Sequence, residues 1–247
     1  MDGYLEHTRV FWGRGGWLLP ALALLAAPSV RAAGWGGSLA ATSDYVFRGL
    51  TLSDNRPSLQ GDLHYYAEAG WYAGLWAASV RRSPEASASA ELNLYGGHAW
   101  RLADSWTAKL GYVHYAYPGI APRSRYDYDE FNGALAYRGR VFAGLAVSPD
   151  AAAESRYGSV TGRTVPTYWL ALHQPLPLAV SFNAGAGYRD MQWLLHGGYW
   201  YWNAGLAYDF GHASFDLSYI GAGGQARALF YEGAVADRWV GTLAWHF

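Results

Sequence analysis

The chain has 247 residues, a formal net charge of −1 at pH 7, and 51% hydrophobic against 15% charged residues. This balance offers no basic surface and excludes a nucleic-acid-binding protein. Cysteine is absent, which excludes a disulfide framework and thiolate metal sites.

Residues 1–32 have the pattern of a cleavable signal peptide. Two arginines precede an apolar run of about a dozen residues, 17–28, which is too short to span hydrocarbon as a helix. Small residues at Val30 and Ala32 suit a signal peptidase, so the mature chain is expected to begin at Ala33. A retained amphipathic anchor or a misassigned start codon is the alternative.

Residues 33–247 are predicted to form one all-β domain. Apolar and polar residues alternate with a period of two, most clearly over 200–210, and such alternation places successive side chains on opposite faces of a strand. The 13 Trp, 20 Tyr and 31 Gly are typical of a barrel with aromatic girdles. About twelve strands are predicted, near 38–49, 58–68, 71–81, 89–101, 105–117, 128–138, 140–148, 165–174, 178–189, 199–209, 212–221 and 237–247.

The predicted connections between these strands alternate in length. Short links fall at 69–70, 102–104, 139, 175–177 and 210–211, and long ones at about 50–57, 82–88, 118–127, 149–164, 190–198 and 222–236. This alternation is typical of an antiparallel transmembrane β-barrel in the outer membrane, and an even strand count leaves both termini in the periplasm. A soluble sandwich is disfavoured because its outer face would not tolerate Trp200, Trp202 and Phe210.

Two histidines fit their strands poorly. The parity of the neighbouring leucines turns His98 and His114 outward. A β-bulge near 96–97 or at Gly111 is expected to return them to the lumen. A position at the depth of the membrane interface is the alternative.

The last strand alternates up to a terminal aromatic residue. One face carries the residues expected to contact lipid: Trp239, Leu243, Trp245 and Phe247. This ending resembles the C-terminal signal by which outer-membrane proteins are recognised, and the resemblance implies the assembly machinery as a partner.

A further resemblance lies near the start of the domain. The segment ATSDYVFRG at 41–49 is followed by LTLSD at 50–54, PSLQ at 57–60 and GWYAG at 70–74. Over these residues the chain resembles the TorF-like putative porins of proteobacteria. The resemblance implies an outer-membrane barrel and, by association, a pore.

The predicted first strand turns Tyr45 and Phe47 toward lipid, and Asp44 and Arg48 toward the lumen. Ten more polar residues are expected to line the lumen: Asp62, His64, Glu68, Glu91, Lys109, Glu130, Arg189, Asp209, Asp216 and Arg238. Interspersed acids and bases would shape solute passage with weak ion selectivity, or would form a salt-bridge network that plugs the barrel. Small residues favour a passage slightly: Gly185, Gly187, Gly205, Ser214 and Ser218.

An enzyme is not predicted. The pair His212 and Ser214 resembles part of a hydrolase site, but both side chains are expected to point into the lumen, away from lipid substrates. The remaining histidines are scattered without ligand spacing, so no metal and no cofactor are expected.

The sequence therefore predicts an outer-membrane channel for passive diffusion of small hydrophilic solutes. Arginines of the predicted outer loops could also bind lipopolysaccharide phosphates: Arg81, Arg82, Arg123, Arg125, Arg156, Arg163 and Arg227. A non-conducting structural or lipopolysaccharide-binding barrel is the alternative, and the oligomeric state stays open.

Overall fold

The structure is a computed structural model that describes residues 33–81, 89–118, 126–155, 158–231 and 233–247. The predicted signal peptide lies outside the described residues. In chain order the elements are β1 (Gly34–Thr42), β2 (Val46–Phe47), β3 (Leu50–Thr51), β4 (Ser58–Tyr66), β5 (Trp71–Val80), β6 (Ser89–Ala103), β7 (Trp106–Ala116), β8 (Tyr128–Tyr137), β9 (Val141–Ser155), β10 (Gly158–Pro175), β11 (Val180–Met191), α1 (Gln192–Leu195), β12 (Gly197–Asp209), β13 (Ala213–Ala222), α2 (Gly224–Leu229) and β14 (Asp237–His246).

Twelve of these strands close into an antiparallel barrel, while β2 and β3 pair with each other inside it. The ring closes through β1, which pairs with β14 on one side and β4 on the other. Closure gives every strand two hydrogen-bonded neighbours and removes the exposed edges of an open sheet. The predicted fold class is confirmed.

The two ends of the barrel differ in the length of the connections between strands. Five short connections, together with the start of β1 and the end of β14, lie at what we call the turn end. Arg138 and Gly139 form one of these turns with φ of 51° and 61°, the left-handed pair that a tight hairpin requires. The longer connections lie at the opposite, loop end.

The outer face of the barrel is apolar. In β7 the exposed Leu110 lies between Trp106 and Tyr112, and β8, β12, β13 and β14 repeat this order of an aromatic residue, a leucine and an aromatic residue. Outward aromatic residues near the turn end include Trp35, Trp71, Trp100, Tyr137, Phe210 and Trp245, and those near the loop end include Phe131, Tyr168, Trp200 and Trp239. A closed barrel with two aromatic girdles around an apolar band is the form in which β-sheet crosses the outer membrane.

Helices contribute little to this architecture. In the described part of the chain, none is both long and apolar enough to cross a bilayer.

The first strand is shorter than predicted and ends at Thr42. Ser43 N still donates to Gly241 O, but the following residues turn into the barrel. Tyr45 and Phe47 are therefore 1% and 7% exposed, and the prediction that they face lipid is wrong. Residues 43 and 44 bend the chain into the barrel, and residues 44–49 are all buried, so successive side chains there no longer alternate between lipid and lumen.

The predicted loop over 149–164 is also wrong. Strands β9 and β10 continue to Ser155 and from Gly158, and they form a long hairpin at the loop end. Register shifts on both sides of Arg163 interrupt this pairing.

No bulge returns the two histidines to the lumen, because the β6–β7 register runs unbroken from Leu92 to Arg101. His98 stays outward at the turn end, with its ring 4.7 Å from Trp71 and 4.4 Å from Trp100. His114 stays outward near the loop end, where its Nδ1 lies 2.8 Å from Asp129 Oδ1. His98 Nε2 also lies 2.7 Å from Ala69 O. Both histidines thus lie on the outer face near a girdle, as in the alternative of an interfacial position.

We expect Leu110→Arg to destabilise the folded barrel by about 2–4 kcal/mol, because the substitution places a charge in the middle of the apolar band. Urea unfolding of protein folded into phospholipid vesicles measures this change. Leu178→Arg is the matched control, since Leu178 is 86% exposed in a turn and a charge there should cost about 0–1 kcal/mol. Equal effects of the two substitutions would contradict the assigned membrane depth.

Candidate functional site

The connection between β1 and β4 folds into the barrel instead of leaving it. We call residues 43–57 the inner segment. Its strands β2 and β3 form a hairpin, and Thr51 N donates to Ala234 O at 2.8 Å while Ala236 N donates to Gly49 O at 2.8 Å. These bonds dock the inner segment on the chain that precedes β14.

Gly49 brings the inner segment close to the barrel wall. A Cβ atom at this position would lie 2.8 Å from Ala222 Cβ and 3.0 Å from Tyr201 Cβ, and the φ of Gly49 is +78°. Both the contact and the left-handed backbone require glycine. The inner segment is therefore packed against β12 and β13 without room for a side chain.

Arg48 fastens the inner segment to the far side of the ring. Its Nη1 and Nη2 donate to the two carboxylate oxygens of Glu130 on β8 at 2.8 and 2.9 Å, and Ser148 Oγ donates to Glu130 Oε2 at 3.1 Å. Arg48 and Glu130 are 3% and 2% exposed. Buried charges persist only when paired and hydrogen-bonded, and a two-pronged pair is the strongest form.

Asp44 stabilises the inner segment from within. Its carboxylate accepts hydrogen bonds from Thr51 Oγ1 at 2.6 Å and Ser53 Oγ at 2.8 Å, and from Arg238 of β14 at 3.3 Å. Asp44 and Arg48 are thus both interior, but they do not line one strand as predicted. They build the structure that crosses the lumen.

The inner segment fills the loop-end half of the interior next to β5–β8. Tyr45 Oη donates to the fully buried Glu91 at 3.2–3.3 Å, and Asn93 Nδ2 donates to Glu91 Oε1 at 2.9 Å. Around this network an apolar cluster packs Phe47 and Leu52 against ring side chains of the wall. The sequence left open whether the interior charges line a passage or form a network that plugs the barrel. In this half of the barrel they form a packed network.

The turn-end half of the interior is polar. Tyr95 Oη donates to Asp62 Oδ2 at 2.5 Å, His64 Nδ1 contacts the other oxygen of Asp62, and Lys109 Nζ lies 4.1 Å from the centre of the Tyr72 ring. Across the lumen, Ser218 Oγ donates to Asp216 Oδ1 at 2.6 Å. Acids and bases are interspersed here.

The glycines that seemed to leave space in the wall are covered by neighbouring side chains. A Cβ atom at Gly187 would lie 2.3 Å from the Tyr201 ring, one at Gly185 2.8 Å from Asn203 Oδ1, and one at Gly205 2.1 Å from Ser218 Oγ. Glycine here lets cross-strand side chains lie flat on the wall. These residues therefore do not mark open volume.

Two of the predicted lumen residues lie at the turn end of the barrel rather than deep in its interior. Glu68 is exposed in the turn between β4 and β5, because β4 ends at Tyr66. Asp209 is the last residue of β12, and its Oδ1 accepts a hydrogen bond from Gly211 N at 2.6 Å, so it stabilises a turn. The other ten point into the interior: Asp44, Arg48, Asp62, His64, Glu91, Lys109, Glu130, Arg189, Asp216 and Arg238.

A pocket lies at the loop end beside the inner segment. Its lining includes Arg48 and Arg189, with rings of Tyr126, Tyr128, Tyr199 and Phe230. Arg189 belongs to β11 and is 8% exposed. This pocket was not predicted, since it joins residues from widely separated parts of the chain.

His212 and Ser214 do not face the lumen together, so that prediction is wrong. Ser214 is buried inside the barrel with its Oγ 3.1 Å from His246 Nε2, whereas His212 is exposed and stacks on the outward Trp245. His212 precedes β13 in a bend, and the strand parity does not extend to it. Within the described ranges, no three His, Cys, Asp or Glu side chains cluster as metal ligands would.

The residues predicted to form an assembly signal lie on β14 and at the end of the chain that follows it. Trp239, Leu243 and Trp245 are outward on β14, and Phe247 accepts a hydrogen bond from Gly37 N at 3.0 Å through its backbone oxygen. Their role as an assembly signal stays a prediction.

Among the loop arginines, Arg227 donates to Asp237 at 2.6 Å, and Arg82, Arg123, Arg125 and Arg156 lie outside the residues whose side chains are described.

Comparison with known proteins gives a family and a fold. The sequence profile of a bacterial protein family of unknown function (Gcw_chp) matches residues 31–247. No curated protein matches the sequence. The barrel is similar to the solved KdgM porin, with a TM-score of 0.54, 7% identity, and coverage of 86% of this chain and 99% of that one. It is also similar to the NanC porin, with a TM-score of 0.51, 10% identity, and coverage of 86% and 98%. These likenesses show a porin fold.

We expect Glu130→Gln to loosen the inner segment, because breaking a buried ion pair costs about 3–5 kcal/mol. Hydrogen exchange of the Thr51 and Leu52 amides, which bond to Ala234 O and Tyr45 O, reports the change. A loss of about 3 kcal/mol accelerates exchange by a factor of about 150.

Arg227→Gln is the control, since Arg227 and its partner Asp237 are both about half exposed. Exposed pairs contribute about 0–1 kcal/mol. Acceleration below about tenfold in Glu130→Gln would show that the ion pair does not hold the inner segment.

Proposed function

The chain belongs to the Gcw_chp family, and we propose that it is a porin-like outer-membrane channel through which small hydrophilic solutes diffuse passively. The observation that carries this proposal is a closed barrel with an apolar outside and an inside lined by paired and unpaired charges. Such an interior suits water and polar solutes. The TorF-like resemblance supports the same function and is not confirmed by the family match.

In this proposal the loop end faces the exterior and both ends of the domain face the periplasm. Outer-membrane barrels place short turns on the periplasmic side and long loops outside. The proposed partners are outer-membrane lipids, lipopolysaccharide at the loop-end arginines, and the assembly machinery at β14. No catalytic role is proposed, because the Ser214–His246 contact lies inside the barrel, away from lipid.

The inner segment makes the proposed channel narrow. It packs across the loop-end half of the lumen and is fastened at Arg48 and Glu130. Solutes would pass beside it, through the loop-end pocket. Conductance should therefore be low for a barrel of this size and should rise when the segment loosens.

A non-conducting barrel, structural or lipopolysaccharide-binding, is the second candidate. The observation that favours it is the packed cluster around Tyr45 and Glu91, which occupies the interior like a plug. The two functions differ in one measurable property, the passage of ions.

Single-channel recording in planar bilayers tests the proposal. We expect wild-type protein to give discrete steps of low conductance, and Glu130→Gln to raise the step size by about twofold or more, because the inner segment no longer holds its position. Asp209→Asn makes the same chemical change at the turn end and should leave the steps unchanged. Recordings without conductance above background for wild-type protein would contradict the channel and support the plugged barrel.

A further inference from the structure

We propose that the loop-end pocket binds the carboxylate of a small ring-bearing solute, such as a sugar acid, with Arg189 as its ion-pair partner. This inference rests on the proposed function and names a class of solute for it. It depends on the charge state, partners and walls of the pocket.

Arg189 is a mostly buried cation that has no hydrogen-bonded partner among the described side chains. Among the residues whose side chains are described, no hydrogen bond and no salt bridge reaches its guanidinium, although it is only 8% exposed. Arg48, which is also buried, makes two bonds to Glu130. No Arg189 nitrogen is among the fully buried side-chain atoms without a partner. Because Arg189 lines the pocket, its N–H donors can bind a ligand there.

A second unpaired group lies next to Arg189. Thr167 of β10 is its register partner, and Thr167 Oγ1 is fully buried without a hydrogen-bond partner in the described structure. Thr167 does not line the pocket itself, so Arg189 is the residue of this pair that can reach a ligand there.

Glu130 does not act as the hydrogen-bond acceptor for Arg189. Both Glu130 oxygens are occupied by Arg48, and one of them also by Ser148. Arg48 and Arg189 are the charged residues that line the pocket, and Glu130 is bound to Arg48 rather than to Arg189. An anion with two oxygens in a plane matches the fork of a guanidinium.

The walls of the pocket favour a ring. Tyr126, Tyr128, Tyr199 and Phe230 line it together with the two arginines. Aromatic faces pack against the C–H groups of sugars and against other rings, while a few polar groups fix the orientation. Lipopolysaccharide phosphates could also bind arginine, but they lie on the lipid side, whereas Arg189 points into the interior of the barrel.

Isothermal titration of the purified full chain in detergent tests this site. The probes are glucuronate and glucose, which differ in the carboxylate. We expect saturable binding of glucuronate at low salt, at least about tenfold weaker binding of glucose, and weakening of glucuronate binding as salt screens the ion pair.

Arg189→Gln should weaken glucuronate binding by about tenfold or more, and Arg189→Lys by less, since lysine keeps the charge but not the fork. Arg101→Gln, at an exposed turn-end residue, is the matched control and should bind as wild type does. Retained heat-modifiable migration on gels shows that each variant is folded. Equal binding of glucuronate and glucose, or unchanged binding in both Arg189 variants, would overturn the proposal.

The same titration separates this inference from the proposed function. If glucuronate binds through Arg189 but the barrel does not conduct ions, the proposed channel would be contradicted while the proposed binding site would stand. If the protein conducts, glucuronate does not reduce the conductance and no glucuronate binding is measured, the proposed binding site would be contradicted while the proposed channel would stand.

Discussion

Hydrocarbon offers no hydrogen-bond partner, so every backbone N–H and C=O that crosses a membrane must be satisfied within the protein. The pairing of β1 with both β14 and β4 meets this condition by closing the ring. It also fixes the direction of each side chain, because alternate residues of a strand face lipid and lumen. The position of Leu110 between two outward aromatic residues and that of Glu130 inside the barrel follow from the same constraint.

Inside the ring, the dominant interaction is the ion pair between Arg48 and Glu130. It joins residues that are 82 positions apart and holds the inner segment across the lumen. The segment divides the interior into a packed loop-end half and a polar turn-end half, and it leaves a pocket on its other side. Restriction of flow and recognition of a solute would thus both depend on the same short stretch of chain.

Much of this architecture could be predicted from local patterns. The alternation over 200–210 and the short links such as Gly139 define strands and turns through neighbouring residues only. The inner segment could not be predicted, since Tyr45 and Phe47 alternate with polar residues in the same way whether their rings meet lipid or the interior. Only the distant partner Glu130 distinguishes the two cases.

Other errors have similar physical causes. His98 and His114 were expected to turn inward because they are polar, but on the outer face His98 packs against two aromatic rings and His114 contacts Asp129. Strand parity placed Arg189 in the lumen, yet its lack of a partner depends on where Arg48 directs Glu130, and sequence alone does not contain that information.

The central claim is that the outward side chains contact lipid acyl chains. Quenching of tryptophan fluorescence by brominated acyl chains in vesicles tests it most directly, since Trp35, Trp200 and Trp239 are among the many outward tryptophans. The structure predicts strong quenching when bromine is on the acyl chains. Unquenched fluorescence from a compactly folded protein that stays dissolved without detergent would contradict it.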